Sequence, residues 1–172
     1  MKTILKTCLL ASALILSGLH LKAEAVKAEA VFTDKVVTNY LDIQKALAND
    51  QFAEAQSAAK TLLDQLNRET PEKIKSTVAG LIQSTESIAT AEHMRSARRE
   101  FKALSNGIQL LIEEQGTTGM QDLYVVRCRM AFKDKGANWI QADTAVTNPY
   151  FGAQMPRCGN VLKQIAEKTR TK

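Results

Sequence analysis

Met94-Arg-Ser-Ala97-Arg-Arg-Glu-Phe101-Lys-Ala-Leu104-Ser-Asn-Gly-Ile108-Gln-Leu-Leu111 carries apolar residues at steps of three and four. That spacing places them on one face of a helix. Working back from it, three more series of the same kind appear. Ile74, Val78, Leu81, Thr85 and Ile88 make one, Phe52, Ala55, Ala59, Leu62 and Leu66 another, and Val36, Tyr40, Ile43 and Leu47 the first. Four amphipathic segments joined by short breaks predict an antiparallel four-helix bundle over residues 34–116. Leu62, Leu81, Phe101 and Leu104 are expected where the four stripes meet.

The breaks are of unequal quality. Asn49-Asp50 can end one helix and cap the next, and Thr70-Pro71-Glu72 reads as a helix start with a capping hydroxyl and a proline at the first helical position. The segment Thr90 to Glu92 holds neither glycine nor proline, so one long helix is the alternative there. Gly80, inside the third segment, suggests a close approach of a neighbouring helix. Gly116 to Gly119 closes the helical region.

Before the helices, Met1 to Ala25 has the composition of a secretory signal peptide. Lys2 and Lys6 precede an apolar run from Cys8 to Leu19, and Ala23-Glu24-Ala25 is a small-x-small cleavage pattern. The run is too short for a stable membrane anchor. Removing it lowers the net charge from +5 to +3, with 20 basic against 17 acidic residues, and leaves Cys128, Cys158 and His93 as the remaining cysteines and histidine. Residues 26–33 are expected to form a disordered mature N-terminus. The chain is expected to be a bacterial periplasmic or secreted protein. So mild a positive charge is poor support for nucleic-acid binding.

After the helices the character changes. Tyr124, Phe132, Trp139, Tyr150 and Phe151, more than half of the nine aromatics, cluster in residues 117–168, which argues for a packed subdomain docked on the helices. The expected fold is therefore mainly α, with a small irregular or short-strand C-terminal subdomain containing cysteine and methionine. Leu123 to Arg127 is its one expected strand, Lys135-Gly136 and Asn148-Pro149 its turns, and Asn160 to Lys168 a closing helix.

Two sulfur pairs frame this region. Cys128 and Met130 stand two apart, so in an extended segment they share a face, and Met155 and Cys158 have the spacing of a turn. Two readings remain open. One is a thiolate and thioether site for Cu(I) or another soft ion, made by Cys128, Met130, Met155 and Cys158, with His93 as an outlying further ligand. The other is a structural Cys128–Cys158 disulfide. Arg127, Arg129 and Arg157 flank the cysteines and are expected to favour thiolate. Arg95, Arg98, Arg99 and Lys102 form a basic stripe on the fourth helix, read as a solvated face, with anionic-surface binding as the sharper alternative.

Cys128-x-Met130-Ala-Phe132, Lys135-Gly-Ala-x-Trp139 and Asn148-Pro-Tyr-Phe-Gly-x-x-Met155-x-x-Cys158-Gly-x-Val161, in this order, resemble the signature of a bacterial secreted domain-of-unknown-function family. That family occurs alone or fused to periplasmic adaptor subunits of copper and silver efflux pumps. The resemblance implies a periplasmic soft-metal binder that buffers metal or delivers it to an efflux adaptor or another envelope protein. Where relatives often read His-Cys-Pro-Met or Tyr-Cys-Pro-Met, this chain has Arg127-Cys128-Arg129-Met130. The alternative function is a disulfide-stapled interaction module of the envelope without metal. No Gly-x-Ser-x-Gly, phosphate loop or His-Glu-x-x-His is present, so no catalytic residue and no enzymatic activity are expected.

Overall fold

The computed structural model describes residues 2–169, with side chains from Glu24 onward. The chain is mainly helical and ends in a small antiparallel sheet. The helices are α1 (Lys2–Ala48), α2 (Phe52–Glu69), α3 (Lys75–Ala89) and α4 (Met94–Gln115), and the strands are β1 (Leu123–Cys128), β2 (Ala137–Gln141) and β3 (Asn160–Ala166). Each helix packs on its neighbour in the chain, and α1 also meets α4. All four apolar series face inward, only Phe52 and Met94 at the series ends remaining partly exposed. Among the described residues no helix is long and apolar enough to cross a membrane. The first 23 residues of the expected signal peptide lie outside the described side chains.

Several local expectations are corrected. Residues 26–33 are helical, within α1, and Glu29, Ala30, Phe32 and Thr33 are buried. Lys73 Nζ lies 2.9 Å from Glu29 Oε1, and Phe32 belongs to the core, so packing orders a stretch whose alanine-rich composition read as tail. Thr70 caps nothing forward: its hydroxyl donates back to the Leu66 carbonyl, 2.5 Å away, and a single 3-10 turn, Glu72–Ile74, leads into α3. At Thr90 to Glu92 the chain does break. His93 caps α4, its Nδ1 accepting from Ser96 N at 3.1 Å while the Ser96 hydroxyl accepts from His93 N. The close helix approach lies at Gly107, where a Cβ would meet Leu81 Cδ2 at 2.5 Å, and a Cβ on Gly80 would meet nothing.

The sheet order is β2-β1-β3, with β1 antiparallel to both neighbours. Residues 160–166, expected as a helix, form β3. The reason is tertiary. The open edge of β1 carries backbone donors and acceptors that need partners, and β3 supplies them, although most of its side chains stay exposed. The sheet docks on the helices through aromatic rings. Tyr40 of α1 stacks on Phe101 of α4 at 5.2 Å between centroids, Phe101 meets Tyr150 at 6.0 Å, and Tyr150 meets Trp139 of β2 edge-on at 5.8 Å. The buried Tyr40 hydroxyl lies 2.8 Å from Ser105 Oγ and accepts from Ile140 N at 3.0 Å, tying β2 to two helices.

Candidate functional site

Cys128 ends the central strand, fully buried, because its position in β1 faces the core beneath the sheet. Cys158 reaches it from a loop thirty residues later, and the two sulfurs lie 2.7 Å apart. That loop is built around Asn148. Its Oδ1 accepts from Tyr150 N at 2.8 Å and Phe151 N at 3.1 Å, its Nδ2 donates to the Cys158 carbonyl at 2.6 Å, and its own N–H donates to Pro156 O at 3.0 Å. One buried side chain thus satisfies the backbone at both ends of the loop. Cys158 N in turn donates to Met155 O at 3.1 Å, forming the turn that its spacing predicted.

The same loop is fastened to the helices by Arg98 and Asp50. Arg98 Nε donates to Pro149 O at 2.8 Å, and its Nη2 donates to Leu47 O at 2.8 Å and to Asp50 Oδ1 at 2.6 Å. Asp50 Oδ2 accepts from Ala153 N at 2.8 Å. The Asp50 carboxyl is held below its usual range by the Ala153 amide first and by Arg98 second. Gly152, with φ +56°, sits against this pair, and a Cβ there would run into both Asp50 Oδ1 and Arg98 Nη2. Arg98 is therefore no member of a solvated stripe, since its side chain is only 15% exposed.

The flanking methionines stand differently from each other. Met130 does not share a strand face with Cys128, because β1 ends at Cys128 and the chain turns away, leaving Met130 51% exposed. Its backbone amide nevertheless lies close enough to the Cys158 thiol to act weakly on it. Met155 is half-buried. Immediately after Met130, Phe132, Lys133 and Asp134 take φ values of +56°, +57° and +62°, a left-handed turn that Gly136 at +75° closes. His93 is exposed, and the role the structure gives it is to cap α4. Among the described residues no three His, Cys, Asp or Glu side chains gather in a group able to hold a metal, so any ion here would depend on thioether sulfur beside the two cysteines.

The neighbouring arginines do not make the Cys158 thiol acidic. The Cys158 thiol is pushed up to about 11, chiefly by its hydrogen bond with Cys128, then by burial and by the Cys128 charge, with the Met130 amide opposing. Arg127 is turned to Asn138 Oδ1 at 3.0 Å and Lys135 O at 3.3 Å, and Arg157 to Val146 O at 2.8 Å. Their charges are spent on loop carbonyls and an amide.

Asn148, Arg98, Asp50 and Gly152 are the residues that sequence reasoning missed. The Asn-Pro dipeptide signalled a turn but not its hub role, and nothing local separates Arg98 from Arg95 or Arg99. The model of a family described as "Protein of unknown function (DUF3347)" matches residues 36–119. The match falls on the helices and stops before Leu123, whereas the resemblance read from the sequence rests on residues 123–161. No curated protein and no solved structure matches the chain.

Proposed function

We propose that the chain is an envelope protein that holds a soft metal ion of the Cu(I) type at Cys128 and Cys158, with Met130 and Met155 as flanking thioethers, and buffers it or passes it to an efflux system. The helices, read as an antiparallel four-helix bundle, are the scaffold. The observation that carries this reading is the meeting of two sulfurs from residues thirty apart, each with a methionine two or three residues away on the same segment. Soft sulfur donors suit such ions, and hard ions or zinc would ask for oxygen or histidine partners. Because Cys158 keeps its proton to about 11, loading at neutral pH releases protons.

A disulfide-stapled interaction module is the second reading, favoured by the 2.7 Å sulfur contact. Two sulfurs sharing one ion at about 2.3 Å each, at a tetrahedral angle, stand about 3.8 Å apart. Loading would thus push the half-buried Cys158 turn outward. The experiment is thiol counting on protein recovered from its native compartment, then Cu(I) titration of the reduced form beside the Met130→Leu/Met155→Leu double variant. Those swaps conserve volume and cost under about 1.5 kcal/mol each. The metal reading expects a folded variant with markedly weaker Cu(I) binding. Unchanged affinity sinks the four-sulfur site and leaves the stapled module.

A further inference from the structure

The N-terminal part of α4, the left-handed turn after Met130 and the loop before Met155 enclose a cleft that the sulfur site does not use. It measures about 390 Å³, within the range of small-ligand sites, and is lined by Met94, Arg95, Arg98, Phe132, Tyr150 and Phe151 among others. Its charge is uncompensated on one side. Arg95 makes no ion pair or hydrogen bond among the described residues. Arg98 spends Nε and Nη2 on the loop and Asp50, while its Nη1 has no partner among the described residues. Asp50, the carboxylate that pairs with Arg98, is already satisfied by Arg98 and the Ala153 amide, and no carboxylate lines the cleft among the described residues.

Facing those cations are aromatic rings. Phe132 and Tyr150 meet edge-on at 5.3 Å, and Lys102 Nζ lies 5.2 Å from the Phe132 ring centroid. Phe132 holds this place on a left-handed backbone, which is unfavourable for a residue that carries a side chain. Backbone cost of that kind persists where the surroundings over-determine it, and it gathers at ligand clamps and switch regions.

We propose that this cleft binds a small aromatic carboxylate, its ring against Phe132 and Phe151 and its carboxylate paired with Arg95 and with Arg98 Nη1. Guanidinium groups match carboxylates through paired, charge-assisted hydrogen bonds, and the aromatic walls supply the apolar contact that an inorganic anion would not use. The inference does not rest on the metal reading, since none of its groups is a sulfur ligand.

The test is amide-resolved NMR titration of the reduced full chain with three probes: phenylacetate, its uncharged analogue 2-phenylethanol, and acetate. Phenylacetate is expected to shift the Arg95, Phe132 and Phe151 signals saturably with Kd on the order of 1 mM, and each of the other two probes to bind about tenfold more weakly or not at all. Arg95→Gln, which removes a side chain with no partner among the described residues, is expected to keep the remaining spectrum and weaken phenylacetate about fivefold or more. An equal response to 2-phenylethanol overturns the carboxylate, and an equal response to acetate overturns the ring. Parent-like affinity in Arg95→Gln, or no saturation by about 10 mM phenylacetate, overturns the site.

Discussion

Cys158 shows how far one proton can report on this fold. Its thiol titrates near 11 in the folded chain, against about 8.5 for an unperturbed cysteine. A raised pKa means that the folded state holds its proton more tightly than the unfolded state, so this contribution is complete below about pH 8.5 and is lost as pH rises toward 11. Tyr40 and Tyr150 are also shifted upward by burial, but unfolded tyrosine titrates only near 10, so their losses begin above that. Between about pH 8.5 and 10 the slope belongs to the thiol. Urea midpoints of the reduced protein should fall across that window, and those of Cys158→Ser should not. A flat parent profile would mean that Cys158 and Cys128 do not share a proton as the 2.7 Å contact implies.

Among elements, the loop from Asn148 to Cys158 depends on groups from three others, and this explains what the sequence could and could not reveal. The helical stripes were legible because burial repeats every three or four residues within one segment. The place of the sulfur pair was legible because both of its readings demand that Cys128 and Cys158 meet. By contrast β3 was hidden, since Val161, Leu162 and Ile165 suit a helix as well as a strand and only the free edge of β1 decides. The Arg98–Asp50 latch was hidden for a similar reason: its partners lie 48 residues apart in sequence. Its contribution can be measured. Asp50→Asn keeps the shape but weakens the bonds to Arg98 and Ala153, and for a carboxylate this exposed the loss should be about 1 kcal/mol at pH 7. The folded pKa of Asp50 is lowered, so its stabilisation is present above about pH 4 and vanishes as pH falls through the folded value. Thermal melts of parent and variant should therefore differ at pH 7 and converge at low pH. A gap that persists undiminished at pH values well below about 4 would place the effect in shape rather than charge.

At the scale of the molecule, helices and sheet share one core, and Phe101 is where they join. Its ring stacks on Tyr40 from α1 and meets Tyr150 from the loop, while Tyr150 carries the contact on to Trp139 in β2. The hydrogen bond from Ile140 N to the Tyr40 hydroxyl crosses the same boundary. Neither part can open without exposing these rings, so the whole chain should unfold as a unit even though the family match covers only the helices. Trp139 is the single tryptophan and lies fully buried in the sheet, so its fluorescence follows that lobe while far-ultraviolet circular dichroism follows the helices. The two denaturation curves should coincide. Phe101→Ala should lower stability by about 3 to 5 kcal/mol, the range for emptying a buried aromatic site, and should shift both curves together. If the tryptophan signal moves to lower denaturant while the helical signal stays near the parent midpoint, the aromatic contacts dock the sheet without joining its stability to that of the helices, and the shared core fails.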